Sequence, residues 1–337
     1  MDDPTGSRST REIRDRRRGL AVFGVLAVGV GVFATCFAAL TPLAPLLAGL
    51  AVPGGAGTPA AVPAPRSDPR GIVIATVFYA AMAALFITIG VGSLRARRWV
   101  RPIALVVAWV WLGCGILGLA TWLVLLPTFP AAMRAARPAD APVPDDVMRM
   151  VTLIASLLLL VVYVALPSLF VWFYNDRDVR LTLERADPLP RWTDRCPLPV
   201  LGMSLALAAA AVGALAPLPY GAVPAMGRIL TGAPAVLFCL ALAAAAVALA
   251  RGAYALRPWA WWGSLALVLV VHGGSLAAFL RVDMAELYAR MGLPAEDIQM
   301  MREGGLLTGS VVVLTTAAIG IACVVYLIFV KRHFRRG

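Results

Sequence analysis

Eight separate runs of about twenty or more apolar residues, each almost free of charge, are the feature that most restricts this chain. A run of that length matches the ~30 Å hydrocarbon core of a bilayer when coiled as an α-helix. Read from the N-terminus, the expected spans are 20–40, 71–93, 102–126, 148–174, 198–218, 230–250, 256–280 and 305–330. Composition agrees: 61% of residues are hydrophobic and 14% charged, whereas a soluble domain carries about 25% charged residues. The predicted fold is an all-α integral membrane protein of about eight transmembrane helices.

The net charge of +12 raises the question of nucleic acid, because basic surfaces release counterions from phosphates. The arginines instead sit in short segments between apolar runs, so no nucleic-acid partner is expected. Their distribution serves topology. Twenty-one of the thirty Lys and Arg residues fall in the N-terminus, in the connections after spans two, four and six, and in the C-terminus. The positive-inside rule then places both termini in the cytoplasm of a bacterial cell, with the chain in the cytoplasmic membrane. Trp99, Trp192, Trp259, Trp261 and Trp262 fall near the same helix ends, where an aromatic belt is expected. The basic head followed by an apolar run has the outline of a cleavable signal, and Phe33–Cys36 faintly that of a lipoprotein site. Thr35 before Cys36 fits the latter poorly, and span one has an internal counterpart, so it is expected to be retained.

That counterpart belongs to a predicted internal repeat. An offset of 160 residues brings spans two and three onto spans six and seven without a gap, pairing Phe78 with Phe238, Gly92 with Gly252, Arg97 with Arg257, Trp99 with Trp259 and Gly113 with Gly273. Gly24 pairs with Gly202 at an offset of 178, so the first outer connection carries a longer, Pro-, Gly- and Ala-rich insertion. The expected organisation is a basic cytoplasmic segment (1–19), a first four-helix repeat (20–174, with outer loop 42–70), a cytoplasmic linker (175–197), a second, parallel four-helix repeat (198–330) and a basic tail (331–337). Parallel repeats occur in some transporters, with the substrate path between the halves, yet fold alone does not assign function.

Chemistry-bearing residues are few. No Asp, Glu, Lys or Arg lies well inside a span, which argues against a proton-coupled carrier or a voltage sensor. Cys36, Cys114, Cys196, Cys239 and Cys323 show no paired spacing and no nearby His, so neither a disulfide framework nor a metal site is expected. No catalytic motif and no cofactor fingerprint is present. His272, at depth in span seven, is either a ligand or pH-sensing group or a neutral side chain bonded within the bundle. Its partner at the 160 offset is Leu112. Arg97 with Trp99, and Arg257 with Trp259, are expected at the inner interface, as helix anchors or as contacts for anionic lipid. Gly24, Gly29 and Gly31 in span one, and Gly113, Gly115 and Gly118 in span three, read as helix-packing positions. Pro167 should kink span four or free a backbone carbonyl. The outer loops share a Pro-and-acid pattern at Pro144–Met150 and Pro294–Met301, ordinary for helix starts or else a doubled partner surface.

The reading drawn from these features is a non-enzymatic structural or accessory membrane protein that contacts lipid or a protein partner. A permease for a neutral or lipid-like solute is the alternative, and its path should be lined by Tyr79, Tyr163, Thr315 or His272. A lipid-modifying enzyme is the weaker alternative, because no convergent polar cluster can be assembled from the sequence.

Overall fold

The computed structural model describes residues 15–51, 68–127, 145–303 and 309–334. Among them, eight helices are long and apolar enough to cross a membrane, one for each expected span. The first three are α1 (Arg17–Ala51), α2 (Pro69–Leu94) and α3 (Val100–Leu125). The fourth span is built from α4 (Asp145–Leu160), a π-helical turn over Val161–Ala165, and α5 (Leu166–Asn175). The connection that follows contains α6 (Arg177–Ala186), and the second half holds α7 (Leu198–Gly213), α8 (Ala233–Tyr254), α9 (Pro258–Arg281), α10 (Met284–Arg290), α11 (Ala295–Glu303) and α12 (Gly309–Val330). The connection after span seven holds the short helices α10 and α11. Most of the expected insertion in loop 42–70, residues 128–144 with Pro144, residues 304–308, and the ends of the basic head and tail lie outside the described residues.

Among the described residues there is one departure from an all-α fold. Helix α7 ends at Gly213, earlier than expected, and the chain then forms a two-stranded antiparallel hairpin, β1 (Ala222–Ala225) and β2 (Arg228–Thr231). Its two-residue turn has Met226 at φ 48° and Gly227 at φ 78°, the doubly left-handed geometry that matches strand twist. Gly227 supplies this geometry at no steric cost; Met226 does not, which is why no Asn-Gly or Asp-Gly signal announced the hairpin.

The helices pack as antiparallel pairs: α1 on α2, α3 on α4 and α5, α7 on α8, and α9 on α12. Helix α3 touches α7 and α12, joining the two halves. Tyr326 on α12 donates its hydroxyl to the Pro199 carbonyl of α7 at 2.6 Å, over Gly202. Large apolar side chains point outward in numbers that water would not tolerate. Leu153 is 70% exposed, Trp172 71% and Val212 71%. Hydrocarbon is the solvent that this surface suits.

Glycine decides how close the pairs come. A Cβ at Gly90 would lie 2.7 Å from the Gly24 carbonyl oxygen, and one at Gly31 3.1 Å from that of Ala83, so α1 and α2 meet backbone to backbone. Gly29, Gly113 and Gly118 correct the expectation, since a Cβ at any of them meets nothing within 4 Å. Spacing alone put them in the packing set; they face away from the neighbouring helix. Gly115 does pack, because a Cβ there would collide with the Tyr163 carbonyl.

That carbonyl explains the π turn. Pro167 has no N–H to return to Tyr163, so the helix widens by one residue and Leu166 N–H bonds to Val161 instead. The Ser168 hydroxyl donates to the Val164 carbonyl at 2.6 Å. The carbonyl of Tyr163 is turned onto the only kind of residue that lets α3 approach it. Gly115→Ala should therefore lower the thermal stability of the purified protein, since overpacking of about 1–3 kcal/mol exceeds the helix-propensity gain of about 1 kcal/mol. Gly113→Ala, in open space, should be neutral or stabilising, and equal melting temperatures for the two variants would sink this account.

Candidate functional site

Most of the described ion pairs gather on one face, around the connection between α5 and α7. Helix α6 starts at Asp176, whose carboxylate caps the Asp178 N–H and pairs with Arg16 at 2.8 Å. Val179, Thr182 and Leu183 bury one side of α6 against the lower ends of α1 and α5, where Leu20, Phe173 and Tyr174 lie. Arg180 and Glu184 pair at 2.8 Å on its outer side. Under it, Ser93 and Tyr174 share a buried 2.6 Å hydrogen bond, and the Arg101 Nε donates to the Tyr174 carbonyl at 2.9 Å.

The connection then locks onto both halves. Asp187, 6% exposed, accepts two or more N–H bonds from the Arg191 guanidinium, at 2.9 Å to Oδ1 and 3.1 Å to Oδ2. It also accepts the Arg98 backbone N–H at 3.4 Å. The Arg98 guanidinium lies 3.0 Å from Asp194 and 3.8 Å from Glu184. These contacts hold the linker to the turn between α2 and α3. On the other side, Tyr254 at the end of α8 donates its hydroxyl to the Trp192 carbonyl at 2.8 Å. One short segment thus bridges the ends of two helix pairs. The Arg191 bonds hold the Asp187 carboxyl below its ordinary value of 3.8, and burial pushes the Cys196 thiol of the same segment upward.

A groove opens beside this clasp. Between α7 and α8 lies a hollow of about 520 Å³. Ser204, Ala208, Ala211, Val212 and Leu215 form one wall and Ala243, Val247 and Ala250 the other. Trp192, Arg251 and Tyr254 close its linker end. The lining residues recur at helical spacing on both helices, and nearly all are small. Ser204 ties the two walls together by donating to the Ala250 carbonyl at 2.9 Å. A second hollow, around Phe86, Ala104 and Phe170, has no room for water.

The residues singled out from sequence fall into place differently. Arg97 and Arg257 are exposed, at the two tight turns that join α2 to α3 and α8 to α9. The turns are alike bond for bond: the N–H groups of Arg95, Ala96, Arg97 and Val100 reach Val91, Ser93, Gly92 and Arg97, and those of Ala255, Leu256, Arg257 and Ala260 reach Arg251, Ala253, Gly252 and Arg257. Ala96 and Leu256 take the same positive φ, 47° and 57°. Trp99 and Trp259 each lay the ring edge over the turn's glycine, Gly92 or Gly252, where a Cβ would lie 2.8 Å or 2.7 Å from Cζ2. The tryptophans brace the turns. His272 bonds through Nδ1 to the Val268 carbonyl of its own helix at 3.1 Å and packs over Gly320 of α12. The five sequence candidates do not form one site, and none of Tyr79, Tyr163, Thr315 and His272 lines either hollow.

Sequence reasoning singled out neither Arg98 nor Asp187 nor Arg251. The spacing of Asp187 and Arg191, four residues apart, was a usable signal. So was Arg251, whose partner at the 160 offset is the apolar Val91. Among the described residues, no group of three or more His, Cys, Asp or Glu side chains could hold a metal ion.

This architecture is that of a multi-pass helical membrane protein with its polar chemistry gathered at one membrane face. The chain matches no known protein family, no characterised protein and no solved structure.

A depressed carboxyl pKa contributes stability above its unfolded value, and that contribution disappears as pH falls through the folded value. The Asp187 clasp should therefore hold at neutral pH and loosen only below pH ~4. Asp187→Asn should lower stability at pH 7 by about 1 kcal/mol and flatten the acid limb of a melting-temperature profile. Cys196 should react faster with a water-soluble maleimide in that variant than in the wild type. An unchanged acid limb and an unchanged labelling rate would show that the clasp contributes nothing.

Proposed function

We propose that this protein is a non-enzymatic structural or accessory component of the cytoplasmic membrane, made of two parallel four-helix units with both termini in the cytoplasm. The observation that carries this reading is the clasp. One segment bonds to Arg98 at the first unit's turn and to Tyr254 at the second unit's helix end, which holds the two units in one arrangement. Rocking-type transport needs the halves to move against each other, and this linkage opposes that movement. The matching turns at Arg97 and Arg257 support the duplication, and the basic residues of the linker face support its cytoplasmic side.

The protein acts by contact. Arg97 and Arg257 stand exposed at the inner interface, within reach of anionic lipid headgroups, and the outer side presents the hairpin and helices α10 and α11 to a protein partner. No nucleic acid is involved in this reading.

Two measurements test it. A cysteine placed at Met226, on the hairpin turn, should be labelled in intact cells by an impermeant thiol reagent, while one at Arg180 should need permeabilised cells. The reverse pattern would invert the topology. Native mass spectrometry of the gently extracted chain should show a stoichiometric protein or lipid, whereas selective solute flux into proteoliposomes would replace this reading with the permease one.

A further inference from the structure

The α7–α8 groove carries an inference that rests on the lipid-contacting reading above and makes it specific. We infer that it holds one acyl chain of an anionic phospholipid from the linker-side leaflet, with the headgroup phosphate at Arg251.

Size and depth come first. A volume of about 520 Å³ falls within the ~300–1,000 Å³ of ordinary ligand sites. From Tyr254 to Ala243 the groove runs about 17 Å along α8 at ~1.5 Å per residue. That is close to half of the ~30 Å hydrocarbon core, the depth reached by a chain of one leaflet. A partner helix about 10–12 Å across would not enter a seam whose walls are bonded to each other at Ser204 and Ala250. A single acyl chain is narrow enough.

Polarity gives the direction. Below the mouth the lining is Ala, Val and Leu, with Ser204 spending its hydroxyl on the Ala250 carbonyl, and at the mouth are Trp192, Arg251 and Tyr254. The rings of Trp192 and Tyr254 stand 6.4 Å apart and make an aromatic wall at headgroup level. Arg251 is exposed, and among the described residues no carboxylate pairs with it. A guanidinium at the interface with its N–H fork free is suited to bidentate phosphate binding. Arg98 and Arg191 on the same face are, by contrast, occupied with Asp187, Asp194 and Glu184.

The groove is also particular to one half. The corresponding seam between α1 and α2 is closed by Gly24, Gly31 and Gly90, with the Val28 side chain 2.6 Å from where a Gly90 Cβ would stand. Val91 occupies the position that corresponds to Arg251. The first seam is thus filled by close backbone contact, whereas the second leaves a volume beside Arg251.

The test uses the purified full-length chain, delipidated and given equal amounts of dioleoyl-phosphatidylglycerol and dioleoyl-phosphatidylcholine before native mass spectrometry. One phosphatidylglycerol should be retained in preference. Arg251→Gln should reduce that preference about tenfold, by loss of the charge-assisted phosphate contact. Ala208→Phe, at an exposed lining position, should reduce retention of both lipids by filling the groove; its melting temperature checks that it folds. Excess inorganic phosphate should not displace the lipid. Equal retention of the two lipids by wild type, unchanged retention in both variants, or a protein occupying the groove would overturn the inference. A stoichiometric partner that still copurifies with Ala208→Phe would leave the accessory reading standing, so the two failures are distinguishable.

Discussion

A peptide N–H or C=O without a partner costs several kcal/mol in hydrocarbon, and the rest of this structure follows from that penalty. Within the bilayer every backbone group must be satisfied inside its own helix or against a neighbouring one. In span four Pro167 breaks the rule, and three adjustments surround it. The helix widens over Val161–Ala165, the Ser168 hydroxyl bonds to the Val164 carbonyl, and Gly115 lets α3 close over the Tyr163 carbonyl. The hairpin β1–β2 and the 3₁₀ turns occur only where the chain leaves the spans, as the same penalty requires.

Charge obeys the complementary constraint. With no ionised side chain deep in a span, the ion pairs of the described residues lie at the two faces, and most of them gather at the linker. There the energies are modest one by one, about 1 kcal/mol or less for an exposed pair. The network gains from connection rather than from any single bond. Asp187 is buried and accepts from both Arg191 and Arg98, so it links the linker's own fold to its attachment on the α2–α3 turn. Arg251 stands outside this network, beside an apolar groove of its own.

Parts of the site were legible in the sequence and parts were not, for identifiable reasons. The tight turns were legible because Gly, Arg and Trp recur at fixed offsets, and each has a separate job: Gly92 and Gly252 make room, Trp99 and Trp259 fill it, and Arg97 and Arg257 remain exposed. Their role as turn braces was not legible, since an interfacial tryptophan looks the same whether it packs on a glycine or on lipid. His272 stood out by its chemistry, yet its ring nitrogen is turned to a carbonyl of its own helix. Arg98, next to the more conspicuous Arg97, holds the linker because the turn aims it at Asp194, a direction that a linear pattern does not encode.

The sequence by itself determined the number of spans, their approximate limits and the segregation of charge, because each depends on local composition and on the fixed thickness of a bilayer. The hairpin, the clasp and the groove were decided by tertiary structure. Small residues at helical spacing permit close approach without compelling it. Between α1 and α2, glycines let the backbones touch; between α7 and α8, the Ala-rich walls part after the Ser204–Ala250 bond and leave a volume. Which outcome occurs depends on the crossing of two helices and on everything packed behind them, and those distances exist only in the folded chain.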